Sequence, residues 1–304
     1  MAELSSVAKA PANRSPAPGR RTGAIRLDAG SFAGVALALA GILGGLLLER
    51  GSVQDVAQTT AAMIVLGGTF GAVLVTTPMP VFRRALRGLK TVFLSGEDAI
   101  AIRIDSLIEL ATKARRNGIV SLEKEAAALP DPFLRKAMGL AVDGTDLAEL
   151  RRIMEIDIAL AEQAGEAEAK VWESAGGYAP TIGIIGAVMG LIQVMKHLED
   201  IRAVGHGIAV AFVATLYGVG SANIFFLPAA SKLRARNGVA TLLNEVTLEG
   251  VLGIVEGLNP SLLRTKLSSF APPGPGQTKA PASAVPSRTP GVRAAKVARA
   301  GGEG

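Results

Sequence analysis

Four apolar segments without a charged side chain limit what this chain can become. Ala29–Leu48, Ala61–Pro80, Tyr178–Met195 and Gly207–Pro228 each match the length of about 20 residues that an α-helix needs to cross a hydrocarbon core of roughly 30 Å. The chain is 49% hydrophobic but only 4% aromatic, and its apolar residues sit in blocks. That pattern points to membrane spans more than to one water-soluble core. The first block has an alternative reading as a signal peptide, since Arg20 and Arg21 precede it. Its run from Ser31 to Leu48 exceeds the ~7–15 residues of a cleavable apolar region, so it reads as a span.

Composition removes several chemistries. With no cysteine there is no disulfide framework, thiolate metal site or cysteine nucleophile. The two histidines, His197 and His206, fall in a short loop and read as solvated residues rather than metal ligands. No catalytic residue, resident cofactor or metal is expected, and the chain does not read as an enzyme. A net charge of +6 would suit nucleic acid, but the basic excess lies mostly in the Pro/Ala-rich ends. Basic ends held on the cytoplasmic side of a membrane explain it without a nucleic-acid partner.

The same basic residues set the orientation. Lys9, Arg14, Arg20, Arg21 and Arg26 precede the first span; Arg83, Arg84, Arg87 and Lys90 follow the second; Lys232, Arg234 and Arg236 follow the fourth. The Glu49–Thr60 loop holds only Arg50. Positive residues stay inside, so both termini and the long middle segment are expected in the cytoplasm of a bacterial cell, with the four spans in its inner membrane.

The fold class is therefore all-α: a polytopic membrane protein with four transmembrane helices and a helical cytoplasmic domain between spans two and three. Residues 26–81 carry spans one and two, 82–177 the cytoplasmic domain, 178–230 spans three and four, and 231–270 a C-terminal cytoplasmic helix continuing span four. Within the middle domain a helix is predicted over Asp98–Asn117, with Ile100, Ile104, Leu107 and Ala111 on one stripe and Gly118 as the stop. A second is predicted from Thr145 or Asp146 as N-cap to about Trp172. Residues 1–25 and the low-complexity, basic 271–304 read as disordered, and the basic tail has the charge to touch anionic lipid.

An ion-conducting relay normally needs an ionisable group at membrane depth. Since the spans supply none, either nothing is transported or a partner chain brings the carboxylate. Gly183, Gly186 and Gly190 share one face of span three with Ala187 beside them, and Ala211, Thr215, Gly218 and Ala222 form a similar stripe on span four. Small faces let helices approach closely in lipid. They either pack span three on span four within one subunit or receive a helix from another chain. Thr181, Gln193, Thr215, Tyr217, Ser221 and Asn223 are the polar groups on or near these faces. A membrane threonine usually bonds its own i−4 carbonyl. Thr215, mid-span on the small stripe, is expected to be the exception and to meet a partner's carboxylate or a passing ion. Pro180 and Pro228 stand at one depth, as an N1 proline and an exit kink or as a hinge.

Five stretches carry a family resemblance: IVLGGTFGAVLVTTPM in span two, GGYAPTIGIIGAVMGLIQVM in span three, GIAVAFVATLYGVGSANIFFLPAASKL in span four, TLEGVLGIVEGLNPSLLRTKL after it, and RRNGIVSLEKE in the middle domain. Together, over about Leu27 to Phe270, they resemble the MotA stator subunits of the bacterial flagellar motor, within the wider MotA/TolQ/ExbB proton-channel family. The resemblance implies a pentamer of such subunits around a dimer of MotB, whose single transmembrane helix carries the proton-accepting aspartate. It also implies torque on the rotor protein FliG. By motif, Pro180 and Pro228 take the coupling role, Thr215 the family threonine of the ATLYG segment that also holds Tyr217, and Arg115, Arg116 and Glu123 the rotor-facing role. A solvated helix face is the plain alternative for these three charges. Sodium-driven relatives tend to carry threonine where Ala187 stands; without that oxygen, H⁺ is the expected ion rather than Na⁺. Some relatives carry an acid at the position of Gly177, and its role does not transfer. The alternatives are a TolQ/ExbB-type energiser of outer-membrane processes, usually built with three spans, and a lipid-packed scaffold without ion flux.

Overall fold

Asp28 opens the first membrane-length helix. As N-cap it accepts hydrogen bonds from the Ser31 backbone N–H (3.3 Å) and hydroxyl (3.0 Å), and its carboxylate pairs with Lys232 far along the chain. The Lys232 ammonium and the Ser31 donors hold the Asp28 carboxyl at about 2, against an ordinary 3.8. In this computed structural model, which describes residues 25–92, 94–96 and 99–270, α1 spans Ala29–Leu48 and contains no buried residue. The two terminal segments expected to be disordered lie outside the described residues, save Ile25.

A capping box between Ser52 and Asp55 starts the short α2 (Val53–Val56), and α3 follows over Thr59–Thr76. The second span was expected to reach Pro80. Its helix stops earlier because Thr77, forced out of the helical region by the following Pro78, is extended (φ −124°, ψ 127°). The chain re-enters a helix as the basic, amphipathic α4 (Met79–Val92). Ile25–Leu27 (β1) pairs antiparallel with Leu94–Gly96 (β2), a three-residue ladder that the sequence pattern did not announce and the one sheet among the described residues.

Beyond it, α5 (Ala99–Asn117) ends at Gly118 (φ +82°), a left-handed position where the predicted stop falls. A 3₁₀ turn (Ile119–Leu122), α6 (Glu123–Ala127) and α7 (Pro132–Val142) follow, elements missing from the sequence reading. Asp131 caps α7 with Pro132 in its first turn.

Two long helices join this polar unit to the membrane-length half. Asp146 is the N-cap of α8, as read from the sequence, but α8 does not end near Trp172. It runs unbroken from Leu147 to Lys196, 50 residues or about 75 Å, so that the third span is its second half. Nothing between Trp172 and Tyr178 breaks the helix, since Gly176 and Gly177 only weaken it. The return path is α9 (Ile201–Ser221), a π-helical turn over Ala222–Phe226, and α10 (Leu227–Val255). The expected single helix over 231–270 is instead two, because Gly257 (φ +70°) closes α10 with a Schellman motif. Its N–H reaches Ile254 O (3.1 Å) and that of Leu258 reaches Gly253 O (3.0 Å). Asn259 then caps α11 (Pro260–Ser268).

The polar unit has its own core. Leu107, Leu122, Met138, Leu150, Met154, Leu252 and Leu263 are fully buried in it. Arg103 crosses its edge, bonding Thr247 Oγ1 (2.9 Å) and pairing with Asp131, which ties α5, α7 and α10 together. Burial pushes the Asp131 carboxyl up, and bonds from the Leu134 backbone and Arg103 outweigh it, leaving it below its ordinary value. At the junction with the membrane-length half, Trp172 donates its indole N–H to Ala85 O (3.2 Å). The same ring stacks on Phe226 with centroids 6.2 Å apart and meets Phe225 edge-on.

Glycine brings α8 and α9 together. A Cβ at Gly183 would lie 2.9 Å from Ala214 O, one at Gly190 2.8 Å from Gly207 O, and one at Gly218 2.6 Å from Ala179 O. Real Cβ atoms cannot sit so close to backbone. Gly190→Ala should therefore lower the thermal midpoint of the detergent-solubilised protein by several degrees, the effect of about 1–3 kcal/mol of overpacking. Gly41→Ala, on α1 where nothing lies within 4 Å, should leave it unchanged.

Candidate functional site

The small stripes face each other. Gly183, Gly186, Gly190, Ala211 and Gly218 are all buried between α8 and α9, and Gly186 also meets Ile64 of α3. Of the two readings open for them, packing within one subunit is the one that occupies these faces. The expectation that these five receive a partner helix is corrected accordingly: no surface remains on them for one.

Thr215 and Ala187 are the chain neighbours of a touching pair, Ala214 and Gly186, and both are half-buried. Thr215 does not escape the usual bond: its hydroxyl donates to Ala211 O at 3.2 Å. That correction sharpens what the residue can do. With its proton committed, Thr215 Oγ1 offers lone pairs only, so it can accept from a protonated acid or a hydrated proton without rearranging. Thr181, Ser221 and Asn223 likewise bond local carbonyls.

Tyr217 is occupied by its own chain. Its phenol donates to Val56 O (2.5 Å) and accepts from the Gln58 N–H (3.3 Å), where α3 begins without a side-chain cap. It pins the α2–α3 entry to α9, so the hydroxyl is spent within the chain, and the half-buried ring is what Tyr217 has left to offer a partner.

Pro180 lies inside α8, not at N1, and so removes the N–H that the helix would direct at Gly176 O. Gly176 packs on Leu227, and Pro180 Cα lies 3.3 Å from a Cβ built at Gly218. The proline turn of α8 is thus held against both flanks of the π-helical turn. On the far flank stands Pro228, exposed, lining a groove of about 360 Å³ with Ser31, Gly34, Phe225 and Lys232. Pro180 packs beside Gly218, ahead of the π-turn, and Pro228 follows that turn by two residues; π-turns recur at functional sites. In that turn the Leu227 N–H reaches back five residues to Ala222 O.

Arg115 and Arg116 end α5, and Glu123 begins α6, on either side of the Gly118 turn. All three are exposed and carry no ion pair among the described residues, whereas neighbouring Lys113 is held by Glu109 (2.9 Å) and Glu125 (2.5 Å). One polar membrane residue escaped the sequence reading: Thr69 of α3, fully buried. Its signal was available in the i, i+4 recurrence of Ala61, Val65, Thr69 and Val73, which is the buried stripe of α3.

Comparison with known proteins places this arrangement. A family model described as Motility protein A N-terminal matches residues 32–118, and one described as MotA/TolQ/ExbB proton channel family matches residues 125–245. Motility protein A of Helicobacter pylori is 35% identical over 248 residues, covering 82% of this chain and 96% of that one. Motility protein A of Bacillus subtilis is 33% identical over 250 residues, 81% of this chain and 92% of that one. The solved structure of C. jejuni MotAB superimposes with a TM-score of 0.77 at 33% identity, covering 83% of this chain and all of that one. With four membrane-length helices, a polar helical unit and relatives matched over nearly their whole length, this chain belongs to the motility protein A family of the MotA/TolQ/ExbB proton channels.

Proposed function

We propose that the chain is a stator subunit of the bacterial flagellar motor. With a MotB-like partner it forms a proton path and converts ion-motive force into torque on the rotor, without enzymatic chemistry. The observation that carries this reading is four apolar stretches, residues 29–48, 61–80, 178–195 and 207–228, without Asp, Glu, Lys, Arg or His, which nevertheless present Thr215 as a ready acceptor. Such a subunit needs a carboxylate from another chain, and the similar C. jejuni structure is that of MotAB. The match of the Motility protein A N-terminal model over residues 32–118 favours the motor over a TolQ/ExbB-type energiser.

In this reading five subunits surround a dimer of the partner in the inner membrane, with both termini in the cytoplasm. A proton reaching the partner's aspartate neutralises a buried charge, a change of several kcal/mol that exceeds the cost of shifting one helix contact. The neutral acid gains a proton to donate, and Thr215 accepts it; the ionised acid has none and leaves. Ala187 beside it gives no oxygen to a hard cation, which supports H⁺ over Na⁺. The displaced contact moves the Pro180 and Pro228 turns and, through the continuous α8 and α10, the polar unit that engages FliG through Arg115, Arg116 and Glu123.

Two sets of substitutions test the reading. Thr215→Val should cut swimming torque about fivefold, roughly the worth of a lost neutral hydrogen bond of about 1 kcal/mol, while the complex still assembles; unchanged torque would sink the role given to Thr215. Replacing Arg115 and Arg116 together by Glu should abolish rotation with proton conduction intact, and motile cells carrying both changes would show that the pair is only a solvated face.

A further inference from the structure

Thr69 lacks a bond that five other helical threonines make. Thr76, Thr112, Thr215, Thr247 and Thr265 each donate to the carbonyl four residues back, at 2.7 to 3.2 Å. Thr69 is 0% exposed, yet its hydroxyl has no hydrogen-bond partner, so it does not take the Val65 carbonyl that helix geometry offers. A buried hydroxyl left unpaired costs about 1–3 kcal/mol, and in a low-dielectric interior nothing screens that cost.

Its position says what the hydroxyl is near. One turn before it on the buried stripe, Val65 packs with Val213 and Ala214 of α9. One turn after it, Val73 belongs to the buried cluster that also holds Ala179 of α8 and Ala222 and Phe226 of the π-turn. Thr69 therefore lies between these levels on the buried stripe of α3. Pro180 has withdrawn a backbone donor from α8. An unused donor on α3 thus lies near the part of α8 that carries Pro180, since its chain neighbour Gly68 meets Ile182, two residues past the proline.

We propose that Thr69 is a positioning residue, unpaired in the arrangement described and paired in a second arrangement of the α8–α9 seam that the subunit visits while it works. The hydroxyl penalises the first arrangement and rewards a shift of the proline turn that brings a backbone carbonyl of α8 within its reach. Its effect is to level the two arrangements, so that a small change at Thr215 is enough to move the subunit between them. This inference rests on the stator reading above.

The test uses the full complex with its partner and two variants. Thr69→Val keeps the shape and removes the hydroxyl; Thr69→Ser keeps the hydroxyl. Thr69→Val should raise the thermal midpoint of the resting complex by about 2–4 °C and lower motor torque at least about twofold, with Thr69→Ser restoring both. A lowered midpoint in Thr69→Val would mean that the hydroxyl is already satisfied and would overturn the proposal, as would unchanged torque. Loss of motility with the wild-type chain in the same strain would instead count against the stator reading, which keeps the two failures apart.

Discussion

The contact on which the rest depends is backbone against backbone: Gly183 and Gly190 of α8 against Ala214 and Gly207 of α9, with Gly218 against Ala179. Lipid gives apolar helices no hydrophobic reason to associate, so close van der Waals approach must hold them. Glycine permits it here, and the seam consumes the small faces that a partner helix would otherwise use. What remains outward is apolar and exposed, including Ile184, Ile185, Val188, Phe212 and Val219. A subunit built this way turns flexible aliphatic surface toward its surroundings and keeps a rigid pair inside.

The same seam reaches the polar unit because two helices do not stop at the membrane boundary. The 50-residue α8 and the path through α9, the π-turn and α10 run side by side from one half to the other. Trp172 of α8 locks onto Phe225 and Phe226 of the π-turn, and Lys232 of α10 ties down the entry of α1 by its pair with Asp28. In the proposed stator reading, a displacement of the proline turns is carried by these continuous helices into the polar unit, whose core Arg103 closes at its edge.

Much of this was legible in the sequence, for definite reasons. Apolar length marked all four spans, Asp146 and Gly118 marked a start and a stop through capping chemistry, and the small stripes were visible from spacing. What spacing could not say was which face meets which. Gly183 and Gly218 read equally well as partner contacts until the fold set them opposite each other. Tyr217 looked like a channel residue because the residues that bind it, Val56 at the end of α2 and Gln58 before α3, are about 160 positions away. The end of α8 was misplaced because a helix crossing from water to lipid changes its pattern without breaking its backbone. Thr69 was passed over because one hydroxyl on an apolar stripe resembles tolerated polarity until its lack of a partner is known.

The central claim is that this subunit offers a charge-free wall with one acceptor to a proton carried by another chain's carboxylate. Proton uptake into liposomes containing the chain and its one-span partner, measured without Na⁺, tests it most directly. The account predicts uptake that disappears when the partner's intramembrane aspartate is replaced by asparagine. Uptake that survives that replacement, or that appears only when Na⁺ is supplied, would contradict it.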